Sequence, residues 1–82
     1  MMTDHVLLQR IIADPHILTG KPIIKGTRLS VEYILNLLGH GATTEEILHE
    51  YDGLAPEDIQ ACLLFAAKTL NPVTVMPLVE AA

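Results

Sequence analysis

Prolines and glycines cut this chain so often that no long regular element fits between them. The longest stretch free of both runs from Glu57 to Asn71. Proline removes a backbone donor and biases the preceding residue away from the helical region. Glycine marks turns and helix ends. A chain of 82 residues divided in this way folds as one domain of short elements.

The breaks separate two kinds of sequence. Residues 6–29 read as a β-containing arm of low regularity. Val6 to Ile12 is a short, mostly apolar run ending at Asp14-Pro15; its length and β-branched end suit a strand, although periodicity alone also allows a helical turn. Thr19-Gly20-Lys21-Pro22 is a turn signal, Ile23-Ile24-Lys25 a second short strand, and Gly26-Thr27 another break.

Residues 30–70 read as a helical core. Ser30 is a candidate N-cap, and Val31, Ile34, Leu35 and Leu38 have helical spacing, so a first helix is predicted over 31–38 with Gly39 just past its end. Thr43 and Glu46 have the spacing of a capping box, which starts a second helix over 44–51. Asp52-Gly53 is a turn. Pro56 fits the first position of a third helix over 56–70, although Ala55 before it is a poor cap. Ile59, Cys62, Leu63, Ala66 and Leu70 make one apolar face of that helix, and Asn71-Pro72 stops it. Residues 71–82 form a C-terminal tail with no clear period. The fold class is mainly α, with a short N-terminal β arm.

Composition narrows the function. Half the residues are hydrophobic, almost all aliphatic, and Cys62 is the only cysteine. One thiol closes no internal loop, so a reducing, cytoplasmic setting is expected. No apolar run follows a basic start and none nears ~20 residues, so neither a signal peptide nor a membrane span is expected. So much aliphatic surface on so small a domain implies a partner, and a homodimer is the default. The net charge of −5 is uneven. Residues 1–30 carry Arg10, Lys21, Lys25 and Arg28 against Asp4 and Asp14, a net of +2. Residues 31–82 carry Lys68 against eight acids, a net of −7. Nucleic-acid binders show basic surfaces, so any DNA contact should use the N-terminal part or need a basic partner.

The second and third helices with their turn have helix-turn-helix proportions, and also those of an ordinary helical hairpin. In the DNA-binding version the N-terminal residues of helix 56–70 would enter the major groove. Gln60 could read adenine there, but Glu57 and Asp58 beside it repel phosphates.

Asp14-Pro15, then Gly20-Lys21-Pro22-Ile23-Ile24-Lys25-Gly26-Thr27-Arg28-Leu29, closely resemble the signature of the domain-of-unknown-function family 433. Val31 to Leu35, Gly41, Glu45 to Leu48, Tyr51, Glu57 to Ile59, Ala61, Leu63, Ala66 and Ala67 continue the resemblance, which covers about residues 10–67. It implies a three-helix, homeodomain-like helix-turn-helix core with a short β arm. It also implies an antitoxin-like role of the VapB type, beside a PIN-like nuclease toxin and with promoter DNA as a further partner. The family commonly has glycine where Thr19 stands, proline at Ser30 and Gly53, and threonine at Ala55.

Within the signature, Gly20 and Gly26 permit backbone conformations closed to other residues and Pro22 fixes an extended entrance; with Thr27 of the Gly26-Thr27 break they are the structural residues of the motif. Lys21, Lys25 and Arg28 would project from it. Each either bonds an acid of the chain or its dimer mate, or docks on nuclease carboxylates or DNA phosphates. A homodimeric structural or adaptor module without DNA binding is the alternative function. Catalysis is not expected, because no nucleophile–base arrangement is visible. Gly20 to Thr27 lacks the order of a phosphate loop. His5, His16, His40 and His49 lack ligand-pair spacing, so no metal or cofactor is expected.

Overall fold

A computed structural model describes residues 3–70. The tail at 71–82 lies outside the described residues. The elements run α1 (Asp4–Leu8), β1 (Ile11–Ala13), β2 (Pro22–Ile24), α2 (Val31–Gly39), α3 (Thr44–Glu50) and α4 (Pro56–Leu70), with a tight turn at Leu18–Gly20. The fold is mainly helical with a small two-stranded antiparallel sheet, in which Ile11 faces Ile24 and Ala13 faces Pro22.

The helix starts follow the local chemistry. The Ser30 hydroxyl accepts the Tyr33 N–H at 2.9 Å. The Thr43 hydroxyl accepts the Glu46 N–H at 3.1 Å, and the Glu46 carboxylate accepts the Thr43 N–H at 2.8 Å, which completes the expected capping box. α4 spans the expected residues. Its weak cap is replaced from within: Asp58 Oδ2 accepts the Ala55 N–H at 2.8 Å.

Several expectations are corrected. The run at 6–12 is not one strand. Thr3 Oγ1 accepts the Val6 N–H at 3.2 Å and starts a helical turn, whose Leu7 is buried, and the strand begins only at Ile11. α2 includes Gly39 and ends on His40; Gly41 instead takes the positive φ, +99°. α3 stops at Glu50, with Tyr51 already extended. Among the described residues there are therefore four helices, not three.

Ile24, Val31, Ile34, Ile47, Ile59 and Cys62 form the buried core. The N-terminal segment is thus no loose arm, since β2 supplies Ile23 and Ile24 to the interior and α1 packs along α4. The inward face of α4 also differs from the expected one. Ala61 is fully buried with Ile59 and Cys62, whereas Leu63 and Leu70 are exposed.

Two ion pairs fasten the N-terminal segment to α4. Arg10 Nη1 lies 3.0 Å from Asp58 Oδ1, where the Asp58 side chain is 8% exposed. Lys68 Nζ lies 3.3 Å from Asp4 Oδ2 on the open surface.

Candidate protein-docking face

The signature around Gly26-Thr27 builds a rigid projecting turn between β2 and α2. The Thr27 N–H donates to the Ile24 carbonyl at 3.0 Å, and its hydroxyl donates to the same carbonyl at 2.7 Å. The Leu29 N–H donates to Thr27 Oγ1 at 3.0 Å, and the Ile24 N–H to the Leu29 carbonyl at 3.0 Å. Gly26 sits at φ +83°, a conformation that L side chains rarely adopt. One side-chain oxygen and one glycine therefore close the turn. The Lys25 N–H donates to the Arg10 carbonyl at 2.8 Å, which ties the turn to the start of β1.

This turn holds Lys25 and Arg28 at the surface, and neither makes an ion pair among the described residues. Lys21 is different: its Nζ lies 3.0 Å from Glu32 Oε1, an exposed intramolecular pair of the kind worth little in stability. Gln60 is exposed on the first turns of α4. The structure thus joins Lys25 and Arg28 in one turn, turns Lys21 toward α2 and leaves Gln60 on another element.

Beside the turn is a shallow recess of about 320 Å³, lined by Leu18, Arg28, Leu29, Ser30 and Tyr33. Leu18 reaches it from an unusual backbone. Leu18, Thr19 and Gly20 have φ of +49°, +55° and +82°, three left-handed residues in a row. Only the glycine adopts this readily, and a β-branched Thr there is strained. The position where the resemblance points to glycine is therefore one where the backbone favours it. The strain presents Leu18, 44% exposed, beside Tyr33, 42% exposed.

Tyr33 continues the face toward α3. Its hydroxyl hydrogen-bonds that of Tyr51, and the rings meet edge to face with centroids 6.0 Å apart. The bond to Tyr33, followed by desolvation and the charge of Glu50, raises the Tyr51 phenol above its usual value. Arginine and tyrosine are enriched at the centres of protein interfaces. An aliphatic, an arginine and two tyrosines on one rigid surface make a face suited to protein docking.

Sequence reasoning missed Tyr33, Tyr51, Leu18 and the Arg10–Asp58 clamp. Asp58 had a signal: an acid three residues past a non-capping Ala55 is placed to accept the free N–H. Nothing local points to Arg10, which is 48 residues away. Nor does anything local pair the two tyrosines, 18 residues apart.

Cys62 offers no chemistry. It is fully buried, and burial, with the nearby Asp58 charge, pushes its thiol up to about 11. Among the described residues no group of His, Cys, Asp and Glu is arranged to hold a metal ion, and no helix is long and apolar enough to cross a membrane.

Comparison with known proteins gives a family and no activity. No curated protein matches. A crystal structure of a DUF433 member protein from Anabaena variabilis is similar, with 29% sequence identity and a TM-score of 0.71 over 83% of this chain. This chain spans 65% of the length of that protein. The family described as protein of unknown function, DUF433, matches residues 11–66, most of the chain and all of the Gly20–Leu29 signature. The chain belongs to the DUF433 family.

Proposed function

We propose that this chain is an antitoxin-like binding module that holds a PIN-like nuclease through the face around Lys25, Arg28, Leu18 and Tyr33. The observation that carries the reading is the turn itself. Its backbone is fixed by Thr27 and Gly26 before any partner arrives, and its two cations have no ion-pair partner among the described residues. A preformed loop loses little entropy on binding, and unpaired cations suit a nuclease whose metal site is a cluster of carboxylates.

On this reading α2, α3 and α4 form the homeodomain-like helix-turn-helix core, and promoter DNA is met only by the assembled pair. The start of α4 favours that order of events. Asp58 is used internally, Glu57 is acidic, and Gln60 is the polar group left for a base edge. A bare acidic helix end gives phosphates no attraction. The same observation favours a second reading, a homodimeric adaptor with no DNA contact.

Capture from the native host separates the readings. The wild-type chain is expected to retain, in stoichiometric amount, a protein whose divalent-metal-dependent RNA cleavage it suppresses. The Lys25→Glu/Arg28→Glu double variant should lose at least tenfold in that retention. Recovery of the chain alone, from both proteins, sinks the nuclease reading. For DNA, binding of the complex to its own promoter should weaken steeply with salt, and a flat salt response sinks promoter contact.

A further inference from the structure

Away from the docking face, α2 and α4 diverge beside β2 and leave an open, mostly apolar groove of about 650 Å³. Val31 and Leu35 of α2 line one side, and Phe65, Ala66 and Leu70 of α4 the other. Lys21 and Glu32 also line it and bond each other at 3.0 Å. α4 carries the apolar surface on past the groove. Leu63, Ala66, Ala67 and Leu70 recur at i, i+3, i+4 and i+7, the spacing of one helix face. Leu63 is 51% exposed and Leu70 67%. Ala66 and Leu70 belong to both features, so groove and stripe are one continuous surface.

We propose that a second copy of this chain covers this surface, with the two α4 helices packed antiparallel about a twofold axis at Ala66-Ala67. Two observations select a second copy. The first is that the stripe reads the same in both directions: leucine, two central alanines, leucine. A twofold contact sets residue i against j and j against i. Antiparallel pairing about the alanines therefore sets Leu63 of each copy against Leu70 of the other, and the small side chains at the crossing let the helix axes approach closely. A parallel pairing gains nothing from such a palindrome.

The second observation is charge. The chain carries a net charge of −5, so two copies repel wherever their acids meet. Those acids crowd α3 and the first turn of α4. From Ile59 to Leu70 the only charged residue is Lys68, which Asp4 already matches. Among the described residues lining the groove, the only charges are Lys21 and Glu32, one of each sign. A second copy brings the same matched pair, and each lysine can exchange its own glutamate for the other copy's. A centre depleted of unpaired charge beside a matched polar rim is the composition of a protein interface.

This inference goes beyond the antitoxin reading and does not depend on it. The groove shares no lining residue with the recess beside Arg28, so the twofold pair leaves the docking face open.

Sedimentation equilibrium of the full chain tests the assembly. The expected result is a dimer in concentration-dependent exchange with monomer. Leu63→Glu/Leu70→Glu, at two exposed positions, should raise the dissociation constant at least tenfold while the helical circular dichroism is kept. Lys25→Glu/Arg28→Glu, on the other face, should leave it within twofold. Cross-linking tests the axis itself, because a residue beside a twofold axis meets its own mate. Ala67→Cys in a Cys62→Ala background should form an inter-chain disulfide under mild oxidation at least tenfold faster than Gln60→Cys. Gln60 lies two turns away on the same helix, and antiparallel pairing holds its two copies roughly 20 Å apart. Equal rates for the two cysteines overturn the antiparallel axis. A dimer unmoved by the two glutamates overturns the surface. A chain that stays monomeric to millimolar concentration overturns the proposal outright and leaves the groove to a different protein.

Discussion

Replacing Asp58 by alanine tests whether one side chain holds the two halves of the fold together. Its carboxylate accepts the Ala55 N–H at the start of α4 and a bond from the Arg10 guanidinium between α1 and β1. Loss of an N-terminal cap bond costs about 1 kcal/mol. Loss of a charge-assisted bond at a site 8% exposed on the acid side adds about 2 kcal/mol. The sum, about 3 kcal/mol, corresponds to a fall in Tm of roughly 12–24 °C for a domain of this size. Three companions divide the effect. Asp58→Asn keeps an acceptor for the Ala55 N–H and loses the charge, so it should cost about 2 kcal/mol. Arg10→Met keeps the cap and the apolar stem but leaves a buried carboxylate without its guanidinium partner, at a cost of about 2 kcal/mol. Arg10→Met/Asp58→Ala should cost less than its two parts added, by about 1–2 kcal/mol, because the pair is broken only once. Urea unfolding of the four variants measures all of these. An Asp58→Ala loss under 1 kcal/mol, or strict additivity in the double variant, refutes the clamp.

Thr19→Gly should stabilise the protein by roughly 0.5–1 kcal/mol, since relief of a left-handed β-branched residue exceeds the added freedom of the unfolded chain; a lower urea midpoint would contradict the strain argument. Thr43→Ala should cost about 1 kcal/mol through loss of the capping box, with the far-ultraviolet signal of the remaining helices kept. Cys62 should resist a chromogenic disulfide reagent at pH 8 in the folded protein and react fully once unfolded. Its thiol is raised from 9.0 to about 11, so the unfolded chain loses its proton first. The associated stability is present below pH 9 and is lost as pH rises toward 11, by at most about 2–3 kcal/mol, and Cys62→Ala should flatten that part of the stability curve. The raised Tyr51 phenol acts in the same direction above its usual value and leaves a smaller slope in that variant.

What could be read from the sequence was what short-range chemistry decides. Ser30, Thr43 and Pro56 mark helix starts because a side-chain acceptor or a missing N–H acts within three residues. The start of α4 follows from Pro56, while the expected stop at Asn71-Pro72 lies outside the described residues. The signature at Gly20–Leu29 was legible as a constrained turn for the same reason, down to the role of Gly26, whereas the bonds by which the Thr27 hydroxyl closes it emerge only in the structure. The run at 6–12 favours a strand and leaves a helical turn open because so short an apolar stretch cannot separate periods of 2 and 3.6, and the cap at Thr3 lies before the run. The exposed side of Leu63 was missed because α4 is apolar nearly all round, so the pattern gives no direction. α1 and β1 decide which face is inside, and they arrive from the other end of the chain. Of the proposed docking face, the sequence names Arg28 and Lys25, whereas Leu18, Tyr33 and Tyr51 meet only in the folded molecule.

The contact between Lys68 and Asp4 places the beginning of α1 against the last turn of α4. The described path is therefore almost a closed ring, with residue 3 and residue 70 at the same end of the long helix. Joining the two through a few added residues, and opening the chain instead at the exposed Asp52-Gly53 turn, would give a permuted protein that keeps every core contact. In that permuted order Arg10 and Asp58 still clamp, but the ring they close runs the other way around. Such a molecule would show whether the order in which the elements emerge, as distinct from the contacts they make, matters to how this domain folds.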